Sequence, residues 1–313
     1  MSNKADRPII LEDFIGQSRL KENLDLYIKS AKIRNASLDH VLFYGPPGLG
    51  KTTLAHVIAN EMGTKMVMAS APNIKNTQDL AGVLTKLEKG DVLFVDEIHR
   101  LSMHVEESIY SAMEDFSIDI IEGKGQEAES KKIELPDFTL IGATTKLGNI
   151  SDPLRDRFGI IEKLDFYSFD DLGKIALQTS DKLGVEMTLE ASKKLGVRAR
   201  GTPRIVKKLT KRTRDFAIVM GNGIIDKDIA DTAMTKLKVD ESGLNAADKR
   251  YLEGIVDRFN GGPVGVEAIS AVISEEPRTI KEVYEPFLLS QGFIDRTKRG
   301  RIVTEKGYQA IGR

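Results

Sequence analysis

The chain has 313 residues, 46 Lys and Arg against 47 Asp and Glu, and a formal net charge of −1, and at roughly 150 residues per domain this length predicts about two domains. Apolar residues make up 41% and charged residues 30%, no run approaches the ~18 apolar residues of a membrane span, and the first residues lack an apolar secretory core. A membrane-embedded or disordered chain is thereby excluded, the absence of cysteine removes disulfides, Cys-ligated zinc and thiol catalysis, and a cytoplasmic location is the default expectation.

Charge is unevenly placed: residues 1–167 carry six more acids than bases, residues 168–240 five more bases than acids, and residues 241–313 are balanced. Short apolar runs at Val41–Tyr44, Met66–Ala69, Val92–Val95 and Phe138–Gly142 are too short for helices and rich in strand formers, so they read as buried strands. Between them Lys51–Glu61, Gln78–Leu87 and Val105–Asp115 have helical spacing, and the β-α-β-α-β-α-β order predicts helices on a largely parallel sheet. Ser117–Ile121 and Lys132–Leu135 flank a polar segment and predict a protruding hairpin before the last of these strands.

From about Asp170 to Leu237 strand signals give way to helical ones, with starts expected at Asp170/Asp171, Thr188 and Asp226. The basic run from Lys193 to Arg214 contains no acid and reads as a mostly solvated helix face. Val239–Gly243 reads as a linker, followed by helices at Ala246–Phe259, Val266–Ile273 and Thr279–Leu289. Strand-like runs around Gly292–Ile294 and Arg301–Val303 then enclose the basic turn Arg296-Thr297-Lys298-Arg299-Gly300-Arg301. Three helices and a basic β-wing predict a winged-helix module meeting nucleic-acid phosphates. The expected organisation is a sheet domain over residues 1–167, a helical lid over 168–238 and a winged-helix head over 241–313.

Gly45-Pro46-Pro47-Gly48-Leu49-Gly50-Lys51-Thr52 satisfies G-x-x-x-x-G-K-[ST] where a strand gives way to a helix, the context that makes such a run a P-loop. Its backbone N–H groups and the helix N-terminus suit phosphate oxygens, Lys51 the β- and γ-phosphates, and the Thr52 hydroxyl Mg²⁺. Val92-Leu93-Phe94-Val95-Asp96-Glu97 ends an apolar strand in two carboxylates, one to hold hydrated Mg²⁺ (Asp96) and one to orient or deprotonate water (Glu97). The spacing allows this strand to lie beside the P-loop strand. Thr145, with Thr144 second, is the expected γ-phosphate contact at the end of the next core strand. Pro153-Leu154-Arg155-Asp156-Arg157 offers an arginine to a neighbouring subunit's nucleotide, the alternative being a local salt bridge. His40, His56, His99 and His104 lack metal-ligand companions and read as structural or solvated.

GPPGLGKTT, DVLFVDEIHR, TLIGATT, PLRDRFGI and GTPRI, in this order, resemble the AAA+ ATPases, and with Asp248-Lys249-Arg250, Gly261–Gly265 and the RTKRGR wing the chain is similar over nearly its whole length to the RuvB family of bacterial Holliday-junction motors. The resemblance implies an α/β AAA+ domain with lid and winged-helix head, ATP and Mg²⁺, and a hexameric ring on DNA with a RuvA-like junction-binding partner and a RuvC-like resolvase. It assigns Arg157 as the arginine finger, Thr145 as first sensor and Arg204 as second sensor. It also implies nucleotide contacts from Arg7, Gly48, Gly50, Thr53, Asp115, Phe116, Ser117 and Tyr167, and DNA contacts from Arg296 and Arg301. The hairpin around 122–131 would dock the RuvA-like partner, with Ile118, Ile120 and Ile121 as candidates for an apolar docking surface. Two rival readings remain: a clamp-loader-like or initiator-like switch, and a nucleotide-gated regulator without catalysis, against which intact Glu97 and Arg157 speak.

Overall fold

A computed structural model describes residues 8–122 and 129–313, which divide into one unit ending at Asp165 and a second from Phe166 onward. The first opens with α1 (Ser18–Arg34), whose Leu20, Leu24, Ile28 and Ala31 are buried at the spacing of a single helix face. There follow β1 (Val41–Tyr44), α2 (Lys51–Met62), β2 (Met66–Ser70), α3 (Thr77–Leu84), β3 (Val92–Asp96) and α4 (Met103–Glu114). The hairpin β4 (Ser117–Glu122) and β5 (Glu129–Glu134), then β6 (Thr139–Thr144), α5 (Asp152–Asp156) and β7 (Ile160–Lys163), complete the unit.

The parallel sheet has the order β2-β3-β6-β1-β7. The expected strands are present, but β3 does not lie beside β1. Strand β6 stands between them, with Val41 opposite Ile141 on one side and Val92 opposite Thr139 on the other. All six β6 residues are buried, so this strand demands cover on both faces and takes the centre. Sequence spacing permitted either neighbour. Strand β7 was not expected, because only Ile160 and Ile161 mark it as apolar and its pattern is that of an edge.

The hairpin pairs Ile118 with Ile133 and Ile120 with Lys131. Ile118 is 1% exposed within the main core, and Ile120 and Ile133 pack against it. Ile118 therefore anchors the hairpin in the core and is not exposed, Ile120 is partly buried against that core, and the Ile121 side chain and the hairpin tip lie outside the described residues.

His40 sits in this core with rings of Phe138 and Phe116 at 5.7 and 6.5 Å. Its Nδ1 accepts from the Leu140 N–H at 2.9 Å and its Nε2 lies 3.1 Å from the Met113 carbonyl, which fixes the neutral Nε2–H tautomer. Burial lowers its pKa, outweighing the Met113 bond and the Asp39 charge. An unfolded histidine therefore binds a proton that the folded one refuses, so stability is full above about pH 6.5 and falls as pH drops below it. Urea unfolding at pH 7.5 and 5.5 should show that loss, with a shallower pH slope in His40→Gln.

The second unit begins with four helices, α6 (Phe169–Lys182), α7 (Leu189–Arg198), α8 (Pro203–Met220) and α9 (Lys227–Lys236). Ser168, Thr188 and Asp226 cap α6, α7 and α9 through their side chains. The head contains α10 (Ala246–Phe259), α11 (Val266–Ile273), α12 (Pro277–Thr279) and α13 (Glu285–Ser290), with the wing β8 (Ile294–Thr297) and β9 (Gly300–Val303), then α14 (Glu305–Ala310). The single helix expected at Thr279–Leu289 is interrupted by a π turn at Ile280–Tyr284. The described winged-helix core gathers Leu244, Tyr251, Ile255, Ile269, Phe287 and Phe293 among its members.

Two departures concern charge. Arg198 and Arg200 belong to the run read as solvated, yet are 7% and 9% exposed. Arg198 donates to the Asp240 carbonyl at 3.2 Å and pairs with Asp231. The presumed linker is likewise tied down, since Asp240 caps the N–H groups of Ser242 and Leu244 and pairs with Lys249. Arg200, at φ 55°, makes a two-pronged bond to Asp248 at 2.5 and 3.1 Å and lies 4.5 Å over the Phe287 ring. Burial raises the Asp248 pKa while Arg200 and the Asn245 N–H oppose that rise, so the carboxylate depends on its partner. Arg200→Ala should cost about 3–5 kcal/mol, the range for orphaning a buried charge. The matched replacement Arg200→Met with Asp248→Leu should cost much less in the same urea titration.

Candidate active site

The P-loop leaves β1 at Gly45, whose φ of +139° and lack of a side chain are both required, because a Cβ there would stand 2.4 Å from the Leu164 carbonyl oxygen. Gly48 and Gly50 also have positive φ, at 83° and 108°. Helix α2 starts at Lys51 behind Gly50, which has no side chain to cap it, and a helix N-terminus of this kind suits an anion. Lys51 is 8% exposed, and its ammonium donates to the Gly45 and Pro46 carbonyls at 2.7 and 2.9 Å, holding the charge on the loop. Thr52 and Thr53 follow in the first turn, both partly exposed.

Asp96 is the exposed last residue of β3. Glu97 follows at φ 52°, donates its N–H to Asp96 Oδ1 at 3.0 Å and pairs with Arg100 at 2.9 Å, while Ile98 anchors the turn in the core. A left-handed glutamate is uncommon and costs backbone energy; here it turns the chain so that two adjacent carboxylates stand at a strand end. At the end of β6, Thr144 is 1% exposed, its hydroxyl 2.9 Å from His99 Nδ1 and accepting from the Lys146 N–H. Thr144 therefore ties two turns together, and exposed Thr145 remains the threonine that can meet a ligand. The register places the ends of β1, β6 and β3 side by side.

The Thr52 hydroxyl and Asp96 carboxylate are hard oxygen donors suited to Mg²⁺, which usually takes one or two carboxylates together with substrate phosphates and water. Among the described residues no three His, Cys, Asp or Glu converge as a metal cage. Arg7 lies outside the described residues.

Arg157 caps the C-terminus of α5. It pairs with Glu114 at 3.0 Å, donates to the Pro153 carbonyl at 2.7 Å and lies 4.3 Å from the centre of the Tyr110 ring. The local salt bridge with Asp156 is not the arrangement found, and Arg155 pairs instead with Asp152. Glu114 adjoins the segment carried over from the family resemblance: Asp115 is the exposed C-cap of α4, Phe116 (φ 46°) packs edge-on to Phe138 and Ser117 is buried. Sequence reasoning missed Tyr110 and Glu114, whose only signal was their i, i+4 spacing on a helix facing the arginine segment.

In the second unit, Tyr167 is 7% exposed and donates its N–H to the Gly201 carbonyl at 2.9 Å, while Arg204 is exposed in the first turn of α8. In the wing, Arg296 and Arg301 face each other across the hairpin but differ in surroundings. Arg296 is exposed. Arg301 is 7% exposed, and its Nε and Nη2 donate to the two Glu285 oxygens at 2.8 and 3.0 Å, Tyr251 also donating to Glu285. Arg301, for which the resemblance implies a DNA contact, is therefore buried and held by Glu285 through two of its nitrogens.

A P-loop strand separated by one strand from an Asp-Glu strand, a threonine at the end of that central strand and a helical domain after the sheet define a P-loop AAA+ ATPase. Three family descriptions divide the chain: the Holliday junction DNA helicase RuvB P-loop domain matches residues 6–164, the RuvB AAA lid domain 167–240 and the RuvB C-terminal winged helix domain 241–312. The chain belongs to the RuvB family. Among solved structures, the Thermotoga maritima RuvB Holliday junction branch migration motor is 47% identical, with 98% of each chain covered and a TM-score of 0.87. A mutant of that protein matches at 47% identity, the same coverage and a TM-score of 0.88.

Proposed function

We propose that the chain is an ATP-driven motor that moves Holliday junctions during homologous recombination and DNA repair, working in the cytoplasm as a hexameric ring with a RuvA-like junction-binding partner and alongside a RuvC-like resolvase. The observation that carries this reading is the joint presence, in a chain of this family, of a P-loop, the Asp96-Glu97 strand end and Thr145 at neighbouring strand ends, and of a winged head. Lys51 and the P-loop amides bind the ATP phosphates, helped by Gly48, Gly50, Thr53 and Arg7. Thr52 and Asp96 hold Mg²⁺, which supplies charge neutralisation on the phosphates when bound. Glu97 accepts the proton of the attacking water, and Thr145 meets the γ-phosphate. Arg157 serves the neighbouring subunit's nucleotide, and the Asp115-Phe116-Ser117 segment adds nucleotide contacts. Tyr167 and Arg204 couple phosphate loss to movement of the lid, taken as residues 168–238 between an ATPase domain of 1–167 and a head of 241–313.

Arg296, and Arg301 oriented by Glu285, contact the DNA backbone without reading sequence. ATP turnover tests the reading against a loader-like switch: continuous turnover that DNA stimulates, and that rises more than linearly with protein concentration as rings assemble, is expected. Turnover that stops after one event, or stays strictly linear down to monomer, would contradict it.

A further inference from the structure

We infer that Tyr110 and Glu114 of α4 are positioning residues for the Arg157 finger, an inference that rests on the reading of Arg157 as acting on a neighbouring subunit's nucleotide. Glu106, Tyr110 and Glu114 recur every four residues and so share one face of α4. That face is matched to the segment carrying Arg157. At its start, Ser151, the N-cap of α5, bonds to the Glu106 carboxylate, and the Tyr110 hydroxyl donates to Glu106 at 2.7 Å and lies 3.1 Å from Ser151. At its end, the guanidinium of Arg157 stacks over the Tyr110 ring and pairs with Glu114.

A long arginine at a helix end ordinarily samples many rotamers, and fixing it before reaction removes that cost from the transition state. Here the aromatic face sets the height of the guanidinium, Glu114 holds Nη2 and the Pro153 carbonyl holds Nη1. Each terminal nitrogen keeps a second N–H for a phosphoryl oxygen. The buried Nε has no hydrogen-bond partner, so the pose is not the one that best satisfies the side chain, as befits a group held for use.

The test uses mixed rings. A Glu97→Gln chain has a disabled site and an intact finger, and an Arg157→Ala chain the reverse, so mixing them should restore ATP hydrolysis. Adding Tyr110→Leu to the Glu97→Gln chain should cut the restored rate roughly 10-fold, the scale of a partly desolvated cation–π contact, with KM for ATP unchanged. Adding it to the Arg157→Ala chain should change nothing, and Tyr110→Phe, which keeps the ring, should behave as wild type in either chain. Equal loss in both mixtures would mean a merely structural role, and no loss in either would mean that Arg157 needs no support; both overturn the inference. No restoration in the unmodified mixture would overturn the trans-acting finger itself and the inference with it.

Discussion

Arg157→Ala is expected to lower steady-state ATP hydrolysis by about 10³–10⁵-fold, the range for loss of an arginine finger, while ATP affinity changes little. The side chain is half-buried and held on three sides, by Glu114, Tyr110 and the Pro153 carbonyl, and it belongs to neither the P-loop nor the strand ends proposed to contact phosphate. Its loss therefore removes charge stabilisation of the transition state more than ground-state binding. Arg157→Lys should not rescue the rate, because an ammonium cannot bond Glu114, Pro153 and a phosphoryl oxygen in one plane. Single-turnover hydrolysis and equilibrium binding of a fluorescent ATP analogue separate the two effects, and a parallel fall in affinity would place Arg157 in its own subunit's site.

Glu97→Gln should reduce hydrolysis by roughly 10²–10⁴-fold, the contribution of a general base, and leave an ATP-loaded chain. The left-handed turn at Glu97 is stabilised by its N–H bond to Asp96 and by Ile98 in the core, neither of which the substitution touches. The pair with Arg100 is exposed, its side chains 47% and 53% accessible, so its loss has little effect on stability. Normal hydrolysis in this variant would remove Glu97 from the base role.

Much of this was legible in the sequence for identifiable reasons. The P-loop glycines announce a backbone that side chains cannot adopt, and Gly45 against the Leu164 carbonyl bears that out. The buried strands are continuous apolar runs, and β1 and α10 fall on the residues their patterns predict. Less legible was whatever depended on residues distant in sequence. Which strand lies at the sheet centre is decided by burial on both faces of β6, and no local pattern fixes that neighbour. Arg198, Arg200 and Arg301 look like surface cations until Asp231, Asp248 and Glu285 are brought to them. The partners lie 16 to 48 residues away, beyond the reach of helical spacing. Ile118 likewise reads as a free hairpin isoleucine, though it is part of the core.

The central claim is tested most directly by mixing the protein with a RuvA-type junction-binding protein, Mg·ATP and a labelled four-way junction, and measuring conversion to separated duplex arms beside the Glu97→Gln variant. Conversion by the wild type alone is the predicted result. ATP turnover by the wild type without conversion would contradict the motor and leave a nucleotide-driven switch in its place.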